Sequence, residues 1–277
     1  MIIGNVLPHL GAFGGVRRFL ELGNIFVNRG IDFTIFSASD LKCEWFDFRG
    51  KIRDWSKIKA DYVIIGDTPS LRVAPRVQGK VFVYVIVGGD YGKDYKKVYG
   101  RYPFIVNNRI FRKQFPKAHL AEGGVNTHFF RPPKKKRKVS SRVRVLYYAA
   151  KRKFKGREYI KAALSGIDGI ELIGLSGLNN KQLLEAYHSG DFAVTWESRP
   201  GWSNLASEAI ASGLTVVTNG MNCEPFIDRV IKVSDLREFF SNPENRKIRK
   251  PGSMEEFSWE KVADRLLQIF KHHSHHK

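Results

Sequence analysis

The feature that most constrains this chain is an alternation of short apolar runs with helical periodicity, carried through twice. Ile2 to Leu7 reads as a first strand, followed by the loop Gly11-Ala12-Phe13-Gly14-Gly15. Val16, Phe19, Leu20, Gly23 and Phe26 then recur at helical spacing, and Arg29-Gly30 closes the element. Strands resume at Phe33 to Phe36, Asp61 to Gly66, Lys80 to Val87 and Phe104 to Val106. Nearly continuous apolar strands separated by helical segments predict a parallel sheet covered on both faces. The rhythm breaks at residues 131–142, where two prolines and a run of lysines and arginines predict an exposed basic connector. Beyond it the alternation restarts. Val143 to Tyr148, Ile170 to Ile173, Phe192 to Thr195 and Thr215 to Val217 read as strands. Arg157 to Leu164, Asn180 to His188 and Ser203 to Ser212 read as helices.

The expected architecture is therefore α/β, with two Rossmann-like lobes facing across a cleft. Their expected extents are residues 1–130 and 143–257, joined by 131–142. The last segment, 258–277, has Trp259, Val262, Leu266, Ile269 and Phe270 on one helical face and a histidine-rich end. That end, His272 to His276, is expected to be mobile and to bind metal adventitiously at most.

At 277 residues the chain is long enough for two modest cores. Its formal charge of +20 favours phosphate-rich partners: nucleotides, anionic lipid headgroups or nucleic acid. Cys43 and Cys223 are too few for a disulfide framework, so a reduced, cytoplasmic setting is expected. No basic region ahead of a long apolar run opens the chain. The longest apolar run, Val81 to Val87, is too short to span a bilayer, which limits membrane contact to the periphery. Pro133 to Val139 looks like a nuclear import signal, but a solvated linker is the better reading in so basic a chain.

Four places carry residues suited to ligand chemistry. Gly14-Gly15, with Arg17-Arg18, opens the first helix directly after a strand, where free amides favour an anion or a sugar hydroxyl. Lys151 to Arg157 follows the first strand of the second run, and its cations suit a diphosphate. Glu197 to Ala209 contains Gly201 to free a turn, Ser203 or Asn204 to cap a helix, and Glu208 one turn inside. In that helix Leu205, Ala206, Ala209 and Ile210 are expected inward, with Asn204 and Glu208 on the polar side. This arrangement suits phosphate on the amides and ribose hydroxyls on the carboxylate. Finally, Asp90 in Gly88-Gly89-Asp90-Tyr91-Gly92 ends a strong strand, where a carboxylate could meet a substrate hydroxyl.

These segments, in this order, resemble the two-lobed (GT-B) retaining glycosyltransferases, specifically the large family-four group that uses nucleotide sugars. Gly14-Gly15-Val16-Arg17-Arg18 resembles the glycine-rich first loop, where donor phosphates and acceptor approach. Gly123 to Pro132 resembles the stretch that ends the first lobe, and Lys155-Gly156 the Lys-Gly of the second lobe's first loop. Gly201 to Glu208, running into Ala209 to Val217, resembles the donor-site helix and its following strand. Ser258 to Ala263 is similar to the terminal helix that crosses back to the first lobe.

The resemblance implies transfer of a glycosyl unit from a UDP- or GDP-linked sugar to a hydroxyl acceptor, with retention at the anomeric carbon. The acceptor would be a glycan or a lipid-linked sugar, reached in part through contact with an anionic membrane. No bound metal is implied, and no Asp-x-Asp motif occurs. By resemblance, Lys155 and, as the nearest arginine, Arg152 serve catalysis; Asp90, in the region where the group often has a histidine, is the third catalytic candidate from its place after a strand. Gly14, Gly15, Gly201, Trp202, Ser203, Asn204, Glu208 and Glu197 bind the donor. The group pairs two glutamates with seven residues between them. The second matches Glu208, but the place of the first falls on Pro200, and Glu197 lies three residues early. Two other readings stand beside this one: a nucleic-acid-binding or nucleic-acid-modifying protein, and a degenerate sugar-nucleotide binder without turnover.

Overall fold

The computed structural model describes residues 1–86, 92–134 and 141–274. The chain divides into two compact units, Met1–Gly124 with Trp259–Lys277, and Val125–Ser258.

In the first unit seven strands form one parallel sheet in the order β3-β2-β1-β4-β5-β6-β7. They are β1 (Ile2–Leu7), β2 (Asp32–Ser37), β3 (Lys51–Asp54), β4 (Lys59–Ile65), β5 (Gln78–Val85), β6 (Phe104–Val106) and β7 (His119–Leu120). Helices α1 (Gly14–Asn28), α2 (Gly92–Val98) and α3 (Arg109–Gln114) connect them, and α8 (Trp259–Ser274) joins the same unit from the far end of the sequence. The apolar stripe of α1 faces the sheet through Val16, Phe19, Leu20 and Phe26, all buried. Gly23 keeps that contact close, since a Cβ there would lie 2.6 Å from both Phe33 and Phe48. Helix α8 adds Val262, Ala263, Leu266 and Phe270 to the same core. The Phe270 ring stacks on Tyr62 at 4.9 Å and leans on Phe82 at 4.8 Å.

The second unit is a five-stranded parallel sheet in the order β12-β11-β10-β8-β9. Its strands are β8 (Val143–Tyr148), β9 (Ile170–Leu175), β10 (Phe192–Thr195), β11 (Thr215–Thr218) and β12 (Ile231–Lys232). Its helices are α4 (Arg157–Leu164), α5 (Asn180–Ser189), α6 (Asn204–Ala211) and α7 (Leu236–Ser241). Strands β10 and β11 are buried along their whole length, since both faces of the sheet are covered.

The boundary between units falls at Gly124/Val125 rather than in the basic segment 131–142. Val125 and Phe130 are buried in the second unit's core, and Val125 bridges to Ser258. An apolar anchor fixes the division, and the charged run follows it. Residues 135–140 of that run lie outside the described residues, as do His275 and His276. Among the described residues no helix is long and apolar enough to cross a membrane.

Candidate functional site

Strand order in the second unit reverses at β8, which has β9 on one side and β10 on the other. In open parallel sheets such a reversal leaves a crevice at the carboxyl ends of the two strands. The loops that leave β8 and β10 there carry Lys155 and Glu197. A short 3-10 turn, Lys153–Lys155, follows β8 and ends at Gly156, whose φ of +62° lies in the left-handed region. Only glycine fits: a Cβ at this position would come 2.1 Å from the Trp196 carbonyl oxygen. The loops are seamed by the Ser198 amide donating to the Phe154 carbonyl at 3.1 Å.

Across this seam Lys155 Nζ donates to Glu197 Oε1 at 2.6 Å. The ammonium also lies 5.8 Å from the Tyr148 ring centroid and 5.5 Å from that of Phe154. Glu197 is only 6% exposed. Burial pushes its carboxyl above the usual range, opposed by the charge and hydrogen bond of Lys155. Asn222 adds a smaller opposing contribution, although its buried Nδ2 makes no hydrogen bond of good geometry. The Glu197 backbone carbonyl accepts from Asn219 Nδ2 at 2.8 Å, which ties the loop after β10 to the loop after β11. Cys223, beside them, has its thiol pushed up to about 12 by burial, so it packs as an inert group.

Helix α6 begins at the same end of the sheet. Ser203 is its N-cap: Oγ accepts from the Ala206 amide at 3.2 Å, and the Ser203 amide donates to the Asn222 carbonyl at 3.0 Å. The amides of Asn204 and Leu205 head the helix with no protein acceptor among the described residues. They form the positive end of its dipole. Trp202 is half-buried and packs edge-on against Phe226 at 4.9 Å and tilted against Phe257 at 5.8 Å. Its ring therefore anchors the turn, with Gly201 half-exposed ahead of it.

Glu208 differs from its expected placement. It is not on a polar face shared with Asn204. It is buried, and Oε2 accepts from Tyr187 Oη of α5 at 3.0 Å. Helix α6 is enclosed on this side by α5, and a buried carboxylate needs a donor. Tyr187, Asn219 and Asn222 escaped the sequence reading. Asn219 and Asn222 had a readable signal, a polar turn directly after the β11 strand. Tyr187 had none, since nothing near it in sequence points to Glu208.

Arg152 precedes the 3-10 turn, half-buried, with its amide donating to the Ala150 carbonyl at 2.8 Å. Asp90, with Gly88 and Gly89, lies outside the described residues. Gly14 and Gly15 are not part of this cluster: they belong to the first unit and open α1 after β1, beside that unit's own reversal between β1 and β4. The arginines after them are already engaged. Arg17 Nε sits 3.5 Å from Glu21, and Arg18 is buried. Arg18 donates to Tyr84 Oη and to the Gly123 carbonyl, with its guanidinium 5.1 Å from the Trp259 ring centroid. A cation that reads as ligand-facing in the sequence instead clamps α8 and the Gly123 backbone to the first unit's core.

No protein-family model and no curated protein matches the chain. Solved structures do. A glycosyltransferase from Rickettsia africae superposes with a TM-score of 0.71 at 14% identity, covering 100% of this chain and 99% of that one. Sucrose-phosphate synthase from Thermosynechococcus elongatus gives 0.73 at 12% identity, with 98% of each chain covered. HepE of Anabaena, solved in complex with UDP-glucose, gives 0.73 at 10% identity, covering 98% and 100%. The chain thus has the α/β fold of the GT-B type, with two Rossmann-like lobes, that these glycosyltransferases share.

Proposed function

We propose that this protein is a glycosyltransferase that moves a sugar from a nucleoside diphosphate sugar to a hydroxyl acceptor, with the donor bound by the second unit. The observation that carries this reading is the placement of Lys155 in the loop after β8 and of the open amides of Asn204 and Leu205 in the turn after β10, at one end of one sheet, with Glu208 one turn into α6. The diphosphate would lie against Lys155 and the head of α6, with Arg152 supplying further positive charge. These groups stabilise the charge that builds on the leaving diphosphate as the glycosidic bond breaks. Cations and helix amides can do this work without a metal. Retention at the anomeric carbon, a UDP or GDP donor, and a glycan or lipid-linked acceptor complete the proposal. Gly14 and Gly15 are its acceptor-side candidates, and the basic surface would support peripheral contact with an anionic membrane.

Glu208 is assigned the ribose, because a carboxylate accepts from a pair of vicinal hydroxyls more completely than a carboxamide does. Glu208→Gln keeps an oxygen for Tyr187, so the fold should persist while donor binding weakens by about 1–3 kcal/mol. Calorimetric titration of the donor against its 2′,3′-dideoxy form, in wild type and variant, checks the assignment. The variant should lose much less affinity for the dideoxy ligand, whose shared contact is already gone. An equal loss for both ligands would remove Glu208 from the ribose.

A further inference from the structure

A lysine that waits to neutralise a diphosphate would bind it most strongly if left unpaired. Lys155 is paired already, and its partner is the more firmly held of the two. The Glu197 side chain is 8% exposed against 22% for Lys155. The Glu197 carbonyl is held by Asn219, and the amide of the next residue is tied to Phe154. The backbone on both sides of the carboxylate is thereby fixed. The ammonium has three N–H donors, of which Glu197 Oε1 takes one. An incoming phosphate oxygen would therefore share Lys155 with Glu197, and two anions would meet at one cation.

We propose that Glu197 is a charge counterweight in the donor site, set against Lys155 to weaken the grip on the released nucleoside diphosphate more than on the intact sugar nucleotide. This rests on the donor-site reading of Lys155 given above. Glu197 stands three residues before Pro200, where the sugar-contacting glutamate would fall, and its Oε1 is engaged by Lys155. The physical basis is charge counting. The diphosphate of a sugar nucleotide carries about two negative charges. The released diphosphate carries nearly one more, since its terminal phosphate loses its second proton around neutrality. Repulsion from a fixed carboxylate grows with each added charge. One unit charge several ångströms from a phosphate, at a dielectric between that of protein surface and water, changes affinity about tenfold. The counterweight therefore hastens product release at smaller cost to donor binding.

The test is calorimetric titration of UDP, UDP-glucose, GDP and GDP-mannose into wild type, Glu197→Gln and Glu197→Asp, with thermal unfolding of each protein recorded alongside. Glu197→Gln keeps an oxygen for Lys155 and removes the charge. It should tighten the free diphosphate about tenfold and its sugar conjugate less, so that the ratio of the two affinities shifts. Product inhibition of turnover should deepen in parallel. Glu197→Asp draws the charge back by one methylene and should fall between the two. It also serves as the deciding variant if Glu197→Gln does not fold. Equal changes for both ligands, or weaker binding of both, would overturn the counterweight and leave Glu197 as a mere support for Lys155. Failure of wild type to bind any of the four would bring down the donor-site reading, and this inference with it.

Discussion

Gly156→Ala is expected to destabilise the second unit by about 2–4 kcal/mol, a large effect for one methyl group. Two causes add. At φ +62° an L-alanine is strained by about 1–2 kcal/mol. Its Cβ would also stand 2.1 Å from the Trp196 carbonyl oxygen, a backbone atom that no side-chain rotation can move away. Relief requires the β8 and β10 loops to part. That would break the Ser198–Phe154 hydrogen bond and displace Lys155 from Glu197. Urea unfolding should show a lower midpoint, with donor affinity falling in the protein that remains folded. A loss below about 0.5 kcal/mol would mean that the loop is not held as described.

Lys155→Ala is expected to lower kcat/KM by about 10²–10³-fold, the scale of deleting one preorganised group that stabilises developing charge. Part of the loss in the single variant would be indirect, because Glu197 would be left buried without its cation. The pair Lys155→Met with Glu197→Gln separates the effects. It keeps the volume and removes both charges, so stability should return while kcat/KM stays depressed. Steady-state rates with folding checked by circular dichroism decide the matter. A Lys155→Ala rate within threefold of wild type would return the basic loop to ordinary solvated surface.

Much of the fold is legible in the sequence because its signals are local. The edges of β8 and α4 follow from the switch between apolar runs and helical spacing, and both elements occupy the expected residues. The edge strand β3 is not legible: Lys51, Arg53 and Asp54 are exposed and carry no apolar alternation. It is a strand only because β2 offers it a ladder. The two-residue strands β7 and β12 are too short for any periodic signal. At the site, Lys155, Ser203 and Glu208 can be picked out by residue type and position after a strand. What they touch cannot. The Lys155–Glu197 pair and the Glu208–Tyr187 hydrogen bond join different loops or helices, so residue chemistry marks them and only packing pairs them. Arg18 shows the converse, a cation in a ligand-like sequence context that tertiary burial turns into a clamp on Trp259.

The central claim is that the second unit binds a nucleoside diphosphate sugar through the Lys155 and α6 cluster. A thermal-shift panel of the common UDP- and GDP-linked sugars, each beside its nucleoside monophosphate, tests it most directly. Ligand that binds only the folded state raises the midpoint, by about 2.7 kcal/mol of added stability at a concentration one hundred times Kd. The account predicts clear stabilisation by the sugars of one base, little by the matching monophosphate, and loss of the shift in Lys155→Ala. Equal stabilisation by mono- and diphosphate ligands, or a shift that survives in Lys155→Ala, would contradict it.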